Sequence, residues 1–280
     1  MAYIESEQLT HEYKKRNEEG EVIGSVPALS GVTLSVEKGS FTAILGANGS
    51  GKSTFAKHLN VLLKPSGGSL YVNGYDASKE ENLWQIRESA GMVFQNPDNQ
   101  LVAGVVEEDV AFGPENIGLP TEEIEERVSR ALASVGMEAY RMHSPNVLSG
   151  GQKQRIAVAG VVAMRPDCII FDESTAMLDP KGRQEVLNTA KSLNKDHGVT
   201  ILWITHYMEE AVGADRICVM DGGRITMEGT PREIFREADR LKEMGLCLPQ
   251  ITELAMRLKA AGMDLPDAVL TREELVAALR

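Results

Sequence analysis

The chain has 280 residues and a formal net charge of −12, with 42% hydrophobic and 25% charged residues. This composition excludes a disordered protein and predicts one large domain, or one domain with an appendage. The acidic balance argues against broad electrostatic binding to nucleic acid or to an anionic membrane surface, so no nucleic-acid partner is expected.

The sequence contains no candidate membrane span. The longest apolar run, Ile156 to Met164, is flanked by Arg155 and Arg165 and is far shorter than the roughly 18 residues that a transmembrane helix needs. The first five residues show no signal-peptide pattern, so we expect the protein to remain in the cytosol. The odd, widely spaced cysteines are predicted to be reduced core or near-core residues: Cys168, Cys218 and Cys247.

The N-terminal part is strand-rich. Alternating and apolar runs predict strands at Tyr3–Leu9, Gly31–Val36 and Phe41–Leu45, with a charged turn from Lys14 to Glu21. Tyr13 lies shortly before a phosphate-type loop, where an aromatic ring is either part of the core or a face on which adenine stacks.

The next stretch fits G-x-x-x-x-G-K-[ST], the phosphate-binding P-loop, although a chance glycine turn between a strand and a helix has the same form. Glycines let backbone N–H groups converge on phosphate oxygens at a helix N-terminus. Lys52 is predicted to reach the β/γ-phosphates, Ser53 to bind Mg²⁺ and Thr54 to lie near the α/β end. The nine residues are Gly46, Ala47, Asn48, Gly49, Ser50, Gly51, Lys52, Ser53 and Thr54.

After the P-loop the chain is predicted to alternate between helices and strands. Helix Phe55–Leu62 precedes a hairpin at Ser69–Val72 with an Asn73-Gly74 turn, and a short buried strand at Gly91–Phe94 ends in the loop 95–100.

A helical insertion then follows, with Thr121 as the predicted N-cap of a helix that Gly136 stops, and with a second helix from Gly150 to Ala163. The last part of this region is predicted as strand Cys168–Phe171, helix Lys181–Asp196 closed by Gly198, and strand Val199–Ile204. Strands that alternate with helices indicate an α/β fold with a mostly parallel sheet covered on both faces.

The C-terminal region is predicted to be helical after a hairpin around Asp221-Gly222-Gly223. A capping box at Thr230 with Pro231 predicts a helix that lasts to about Met244. Residues 246–280 then hold two short amphipathic helices. One has Ile251, Leu254, Ala255 and Leu258 on its apolar face, and the other starts at the capping box Thr271…Glu274.

Two carboxylates follow the strand Cys168–Phe171, at the strand end where ligands of open α/β sheets bind. Asp172 is predicted to hold Mg²⁺ beside Ser53, and Glu173 to orient and deprotonate a water aimed at the γ-phosphate. The alternative is a solvated strand end without chemistry.

Leu148-Ser149-Gly150-Gly151-Gln152 offers a hydroxyl and glycine N–H groups at a helix start, which is a second anion-binding nest. One P-loop is enough to bind the phosphates of one nucleotide. A second nest therefore predicts a contact with a nucleotide that is held by another copy.

At this point the chain resembles the ATP-binding-cassette family over roughly residues 3–230. The matching motifs are the Walker A loop, the Q-loop glutamine Gln95, the signature Leu148 to Gln152, Walker B at Ile169 to Asp172 with the Glu173 base, the D-loop Leu178-Asp179 and the switch histidine His206. The resemblance implies an ATPase that binds ATP and Mg²⁺, with Gln95 as a further catalytic and metal-contacting residue, Tyr13 as the adenine-stacking residue, and Ser149, Gly151 and Gln152 at the nucleotide.

The family also implies an organisation: a nucleotide-binding domain at 1–230 with an N-terminal antiparallel β subdomain and a helical subdomain at about 97–160, then a C-terminal helical extension at 231–280. A narrower likeness, at Met92 to Gln100 and Ser174 to Pro180, resembles the ATPase subunits of energy-coupling-factor transporters, and more the first of their two paired ATPases. Ser174 departs from the Pro or Ala that many cassettes have.

This likeness implies a peripheral subunit at the cytoplasmic face of the cell membrane that energises the import of vitamins or transition-metal ions. The implied partners are a second, identical or different ATPase, a membrane coupling subunit and a substrate-binding membrane subunit. In that family the C-terminal segment helps to hold the ATPase pair together. The alternative is a cassette ATPase that acts on DNA or the ribosome without a membrane partner, which the acidic charge and the single cassette disfavour.

Overall fold

A computed structural model describes residues 2–280 of the chain. Ten strands form two sheets. In chain order they are β1 Ala2–Arg16, β2 Val22–Glu37, β3 Phe41–Leu45, β4 Gly67–Val72, β5 Tyr75–Asp76, β6 Ala90–Val93, β7 Cys168–Asp172, β8 Thr200–Thr205, β9 Arg216–Asp221 and β10 Arg224–Gly229.

The first sheet is antiparallel, with the order β2-β1-β4-β5. Its strands β1 and β2 are longer than predicted and stay paired as far as Arg16↔Val22, so the true turn covers only Asn17 to Glu21. The prediction of a turn from Lys14 was wrong because charge alone does not end a strand. In this exposed ribbon the charged side chains face solvent.

The second sheet has the order β10-β9-β3-β8-β7-β6, parallel throughout except for the edge strand β10. Strands β3, β7 and β8 are buried along their whole length, as expected of apolar strands covered on both faces. Because they are adjacent and parallel, their carboxyl ends bring three loops together at one edge of the sheet. The P-loop follows β3, Glu173 follows β7, and His206 lies just after β8.

Eleven α-helices surround the sheets within the described residues. They are α1 Lys52–Leu59, α2 Leu83–Ser89, α3 Val106–Asn116, α4 Thr121–Ser134, α5 Gly150–Ala163, α6 Pro180–His197, α7 Met208–Ala211, α8 Pro231–Arg236, α9 Ala238–Glu243, α10 Gln250–Ala260 and α11 Arg272–Ala278. Mixed sheets covered by helices confirm the predicted α/β fold. None of the described helices combines the length and the apolarity needed to cross a membrane.

Several helix ends differ from the predictions. The helix after the P-loop starts at Lys52 and ends at Leu59, three residues earlier at each end than expected. Pro120, not Thr121, is the N-cap of α4, because the Pro120 carbonyl already accepts the N–H groups of Glu123 and Ile124, both at 3.0 Å. The helix expected to reach Met244 breaks at Glu237, after which α9 packs into the main core.

The C-terminal helices also differ in detail. The Thr252 hydroxyl donates to the Val269 carbonyl at 2.8 Å, and α10 buries Thr252 and Ala255 while Leu254 is exposed. At Thr271 only half of the capping box forms, since the Glu274 carboxylate accepts from the Leu270 N–H at 2.9 Å instead of from Thr271. Among the cysteines, Cys168 and Cys218 are buried and free as expected, whereas Cys247 is exposed.

Candidate functional site

The P-loop wraps around its own lysine. Lys52 is only 3% exposed, and its Nζ donates to the carbonyls of Gly46 at 2.8 Å and Ala47 at 3.0 Å. Gly51 has a φ of 103°, and a Cβ there would lie 2.6 Å from the Ala28 carbonyl oxygen, so the loop requires glycine at this position. The amine is thus fixed at the centre of the loop.

Strand β7 brings Asp172 to the first turn of α1. The Ser53 hydroxyl donates to Asp172 Oδ1 at 2.8 Å. The pKa of Asp172 is raised above its ordinary value, chiefly because the carboxyl group is buried. The Ser53 hydrogen bond and the nearby lysines oppose this increase only in part. A hydroxyl oxygen and a carboxylate oxygen beside a phosphate-type loop are the ligand chemistry that suits Mg²⁺.

Glu173 lies between Lys52 and His206. Its Oε1 is 3.3 Å from Lys52 Nζ, and its Oε2 is 3.3 Å from His206 Nδ1. The approach to His206 lacks the alignment of a hydrogen bond, so Nδ1 makes no hydrogen bond within the described residues. The Glu173 backbone has a φ of 48°, and its N–H donates to the Ile204 carbonyl at 3.0 Å. A carboxylate, an amine and an imidazole therefore converge at the P-loop.

Tyr13 reaches the same helix from β1. Its hydroxyl is 3.2 Å from Thr54 Oγ1, and its side chain is 42% exposed. This exposure excludes the core alternative and leaves the ring free to accept a flat ligand beside the P-loop.

Gln95 is a predicted site residue that, in the described part of the chain, is not joined to the P-loop residues by a hydrogen bond. It is exposed, and within the described residues no hydrogen bond joins it to Ser53 or Asp172. The loop around it is nevertheless held in place. The Phe94 N–H donates to Gln100 at 3.2 Å, and buried Gln154 donates to the Phe94 carbonyl at 2.9 Å.

The signature residues lie at the start of α5. The Ser149 hydroxyl accepts from the Gln152 N–H at 3.3 Å, and Gln152 Oε1 accepts from the Ser149 N–H at 2.9 Å. This box leaves the Ser149 hydroxyl proton free to donate to a ligand. Ser149, Gly151 and Gln152 line a cavity shared with Leu178 and Asp179, and the lining includes no P-loop residue. Within one chain, the two anion sites are therefore separate.

The prediction missed one group behind the site. Glu210 of α7 is buried and accepts hydrogen bonds from Thr175, Trp203 and Thr205. An acidic residue in a short amphipathic segment looks like a surface residue in the sequence. The only available signal was its spacing of four residues from His206.

Comparisons with known proteins agree with this geometry. Residues 29–176 match the family model described as ABC transporter. The chain is 58% identical over 276 residues to the energy-coupling factor transporter ATP-binding protein EcfA1 of Clostridium novyi, covering 99% of this chain and 97% of that protein. It is 56% identical to the protein of the same name from Symbiobacterium thermophilum, covering 99% and 96% respectively.

Solved structures give the same result. One is the structure of cbiO1 from Clostridium perfringens, described as part of the ABC transporter complex cbiONQ. It aligns with a TM-score of 0.76 and 38% identity, covering 90% of this chain and 98% of that chain. Another is the dimeric post-hydrolysis state of the ATP-binding cassette MJ0796 with ADP and Pi, with a TM-score of 0.71, 30% identity and coverage of 82% and 99%. The chain belongs to the ABC transporter family, among the ATP-binding proteins of energy-coupling factor transporters.

Proposed function

We propose that this ATPase subunit of an energy-coupling factor transporter hydrolyses ATP at a site that a second ATPase chain completes, and so drives import through membrane partners. The observation that carries the proposal is the convergence of Lys52, Glu173 and His206 at the P-loop, while the signature at Ser149 lies in a different cavity of the same chain.

The roles within the chain follow from position. The loop from Gly46 to Thr54 binds the phosphates through backbone N–H groups, and Lys52 supplies a fixed positive charge. Glu173 orients and deprotonates the attacking water. His206 contacts the γ-phosphate through an imidazole nitrogen, and Tyr13 stacks on adenine. The family likeness adds Gln95 to the catalytic groups.

The residues present fit Mg²⁺. Ser53 and Asp172 offer two oxygen atoms beside the loop, and Mg²⁺ in nucleotide sites takes one or two protein ligands together with phosphates and water. When bound by Ser53 and Asp172, Mg²⁺ would supply charge neutralisation for the phosphate groups. Gln95 is the further ligand that the family likeness adds.

The second half of the site comes from the partner ATPase. The Ser149 hydroxyl and the Gly151 N–H of one chain face the γ-phosphate held by the other, and Gln152 fixes the helix start that presents them. The dimeric structure of the MJ0796 cassette with ADP and Pi supports this arrangement. ATP binding closes the pair, and loss of the γ-phosphate contacts opens it. The partner is either a second copy or a related ATPase.

The helical subdomain, residues 97–160, passes this movement to the membrane subunits. Beside the Gln95 loop lies a cavity lined by Gln100, Phe112, Gly113, Ala157 and Met164, in which Phe112 is largely exposed. An apolar ring at the edge of such a groove suits a docking helix from a coupling subunit. We place the chain at the cytoplasmic face of the cell membrane, with vitamins or transition-metal ions as cargo of a separate substrate-binding subunit.

We further propose that residues 1–230 form the nucleotide-binding domain and 231–280 an extension that supports pairing. Helices α10 and α11 enclose a small core of their own, with Ala255, Leu265, Val269 and Leu275. The extension contacts the switch region, because the Gln250 N–H donates to Glu209 at 3.3 Å.

Affinity purification from the native host in mild detergent, followed by mass spectrometry, tests the assembly. We expect an ATPase partner, one large and one small integral membrane protein. Recovery of ribosomes or DNA-bound proteins without membrane proteins would favour the alternative, a soluble cassette ATPase, for which the comparisons give no support.

A further inference from the structure

Glu210 is a buried residue that is hydrogen-bonded to the two segments that carry Glu173 and His206. Its side chain is 5% exposed, and its carboxylate accepts three hydrogen bonds. The Thr175 hydroxyl donates to Oε1 at 2.7 Å, while Trp203 Nε1 at 3.0 Å and the Thr205 hydroxyl at 2.6 Å donate to Oε2. Each donor comes from a segment other than helix α7.

Two of these donors flank the groups assigned to hydrolysis. Thr175 is two residues after Glu173, and Thr205 directly precedes His206. The Thr205 oxygen also accepts the N–H of Tyr207 at 3.0 Å, so the backbone is fixed on both sides of His206. Glu210 thus joins the segment that carries the base to the segment that carries the switch histidine.

The backbone of Glu173 needs such support. A non-glycine residue at a φ of 48° is strained by about 1 kcal/mol or more, and it persists only where the surroundings determine it. One support is the hydrogen bond from Glu173 N–H to the Ile204 carbonyl at 3.0 Å. The bond from Thr175 to Glu210 is a second support on the other side of the strained residue.

We propose that Glu210 is a positioning residue for ATP hydrolysis: through Thr175 and Thr205 it fixes the distance and orientation between Glu173 and His206. This inference rests on the proposed roles of those two residues. Glu210 itself is buried, and its carboxylate is occupied by three side-chain donors, so it acts through its neighbours rather than on the nucleotide. It acts on turnover because small displacements of a catalytic group are costly, with about 1 Å of misplacement costing up to about a hundredfold.

The matched variants are Thr175→Val and Trp203→Phe. Thr175→Val keeps the shape of the side chain and removes only the bond on the Glu173 side. It is expected to lower kcat about tenfold and to change KM for ATP less than about twofold. Trp203→Phe removes the hydrogen bond that the buried Trp203 ring donates to Glu210. It is expected to lower Tm and to leave kcat within about twofold of wild type.

Glu210→Gln provides the conservative rescue. Its amide oxygen can accept from Trp203 and Thr205, and its NH₂ group can donate to the Thr175 oxygen, so all three contacts can form, with donor and acceptor exchanged at Thr175. Glu210→Leu removes every acceptor. We expect kcat to fall less in Glu210→Gln than in Thr175→Val, and most in Glu210→Leu, with Tm recorded for each variant.

A double-mutant cycle separates positioning from simple stability. If Glu210 acts through Glu173, then adding Thr175→Val to Glu173→Gln changes the residual turnover less than about twofold. An unchanged kcat in Thr175→Val, or an equal loss of kcat in Trp203→Phe, would overturn the inference. Absence of turnover in the wild-type complex would instead overturn the proposed hydrolysis, and the inference with it.

Discussion

Lys52 Nζ lies 3.3 Å from Glu173 Oε1, so the P-loop amine and the proposed base face each other across the site. The lysine is held by two loop carbonyls as well, and it is almost fully buried. An amine at the centre of the loop can pair with a phosphate group, and the Glu173 carboxylate lies directly beside that amine.

The first prediction concerns Lys52→Ala. The variant loses a charge-assisted contact with phosphate, worth about 1.5–3 kcal/mol, so the Kd for Mg-ATP should rise by about 10- to 150-fold. Lys242→Ala is the control because it removes the same charge from an exposed position of α9, outside the P-loop. Titration of both variants with a fluorescent ATP analogue makes the comparison, and equal affinities would argue against phosphate binding by Lys52.

The second prediction separates the ring of Tyr13 from its hydroxyl. Base stacking on an aromatic ring is worth about 1–3 kcal/mol, so Tyr13→Ala should raise KM for ATP about 5- to 150-fold with little change in kcat. Tyr13→Phe loses only the hydrogen bond to Thr54 and should raise KM less than about fivefold. Steady-state kinetics decide this, and a normal KM in Tyr13→Ala would exclude stacking.

The third prediction concerns Ser149. Ser149→Ala removes the free hydroxyl proton and one helix cap, and it should lower turnover about tenfold or more while one chain still binds ATP. Thr230→Ala is the control, since Thr230 forms the same capping box on α8. Both substitutions cost about 1 kcal/mol of stability. A similar fall of turnover in both variants would show a stability effect rather than a contact with nucleotide.

The fourth prediction concerns pH and His58. Burial lowers the pKa of His58 below its ordinary value of 6.5, while its Nδ1 lies 2.7 Å from the Thr54 carbonyl and its Nε2 lies 3.1 Å from His11. The unfolded chain therefore takes up a proton more readily than the folded chain. The stability from this group is fully present above about pH 6.5 and declines as pH falls through that value.

His58→Leu removes this titration. Thermal unfolding at about pH 7.5 and about pH 5.5 should show a smaller loss of Tm in the variant than in wild type, whatever the difference between them at the higher pH. Parallel losses of Tm in the two proteins would mean that His58 does not contribute.

Local spacing was enough to predict the parts of the site that lie within one loop. The P-loop, the Asp172-Glu173 pair and the Ser149 capping residues each follow directly from a strand or precede a helix, and the parallel order of strands then brings the first two together. The paired ends of β3, β7 and β8 also explain why His206 joins them.

Features that depend on distant partners were not predictable in the same way. Glu210 is buried among its hydrogen-bond donors Thr175, Trp203 and Thr205, and apart from its spacing from His206 no pattern near residue 210 shows this. The prediction that Leu254 lies on the apolar face of α10 was wrong for a related reason, because this helix buries Thr252, whose hydroxyl donates to the distant Val269 carbonyl. The position of Gln95 at the nucleotide stays a prediction.

The most direct test of the account is ATP turnover by Glu173→Gln in the complex purified with its partners. Glutamine keeps the shape of the side chain but cannot accept a proton, so turnover should fall by about a hundredfold or more while ATP remains bound and the ATPase pair stays closed. Turnover equal to that of the wild-type complex would contradict the assignment of Glu173 as the base, and with it the proposed site.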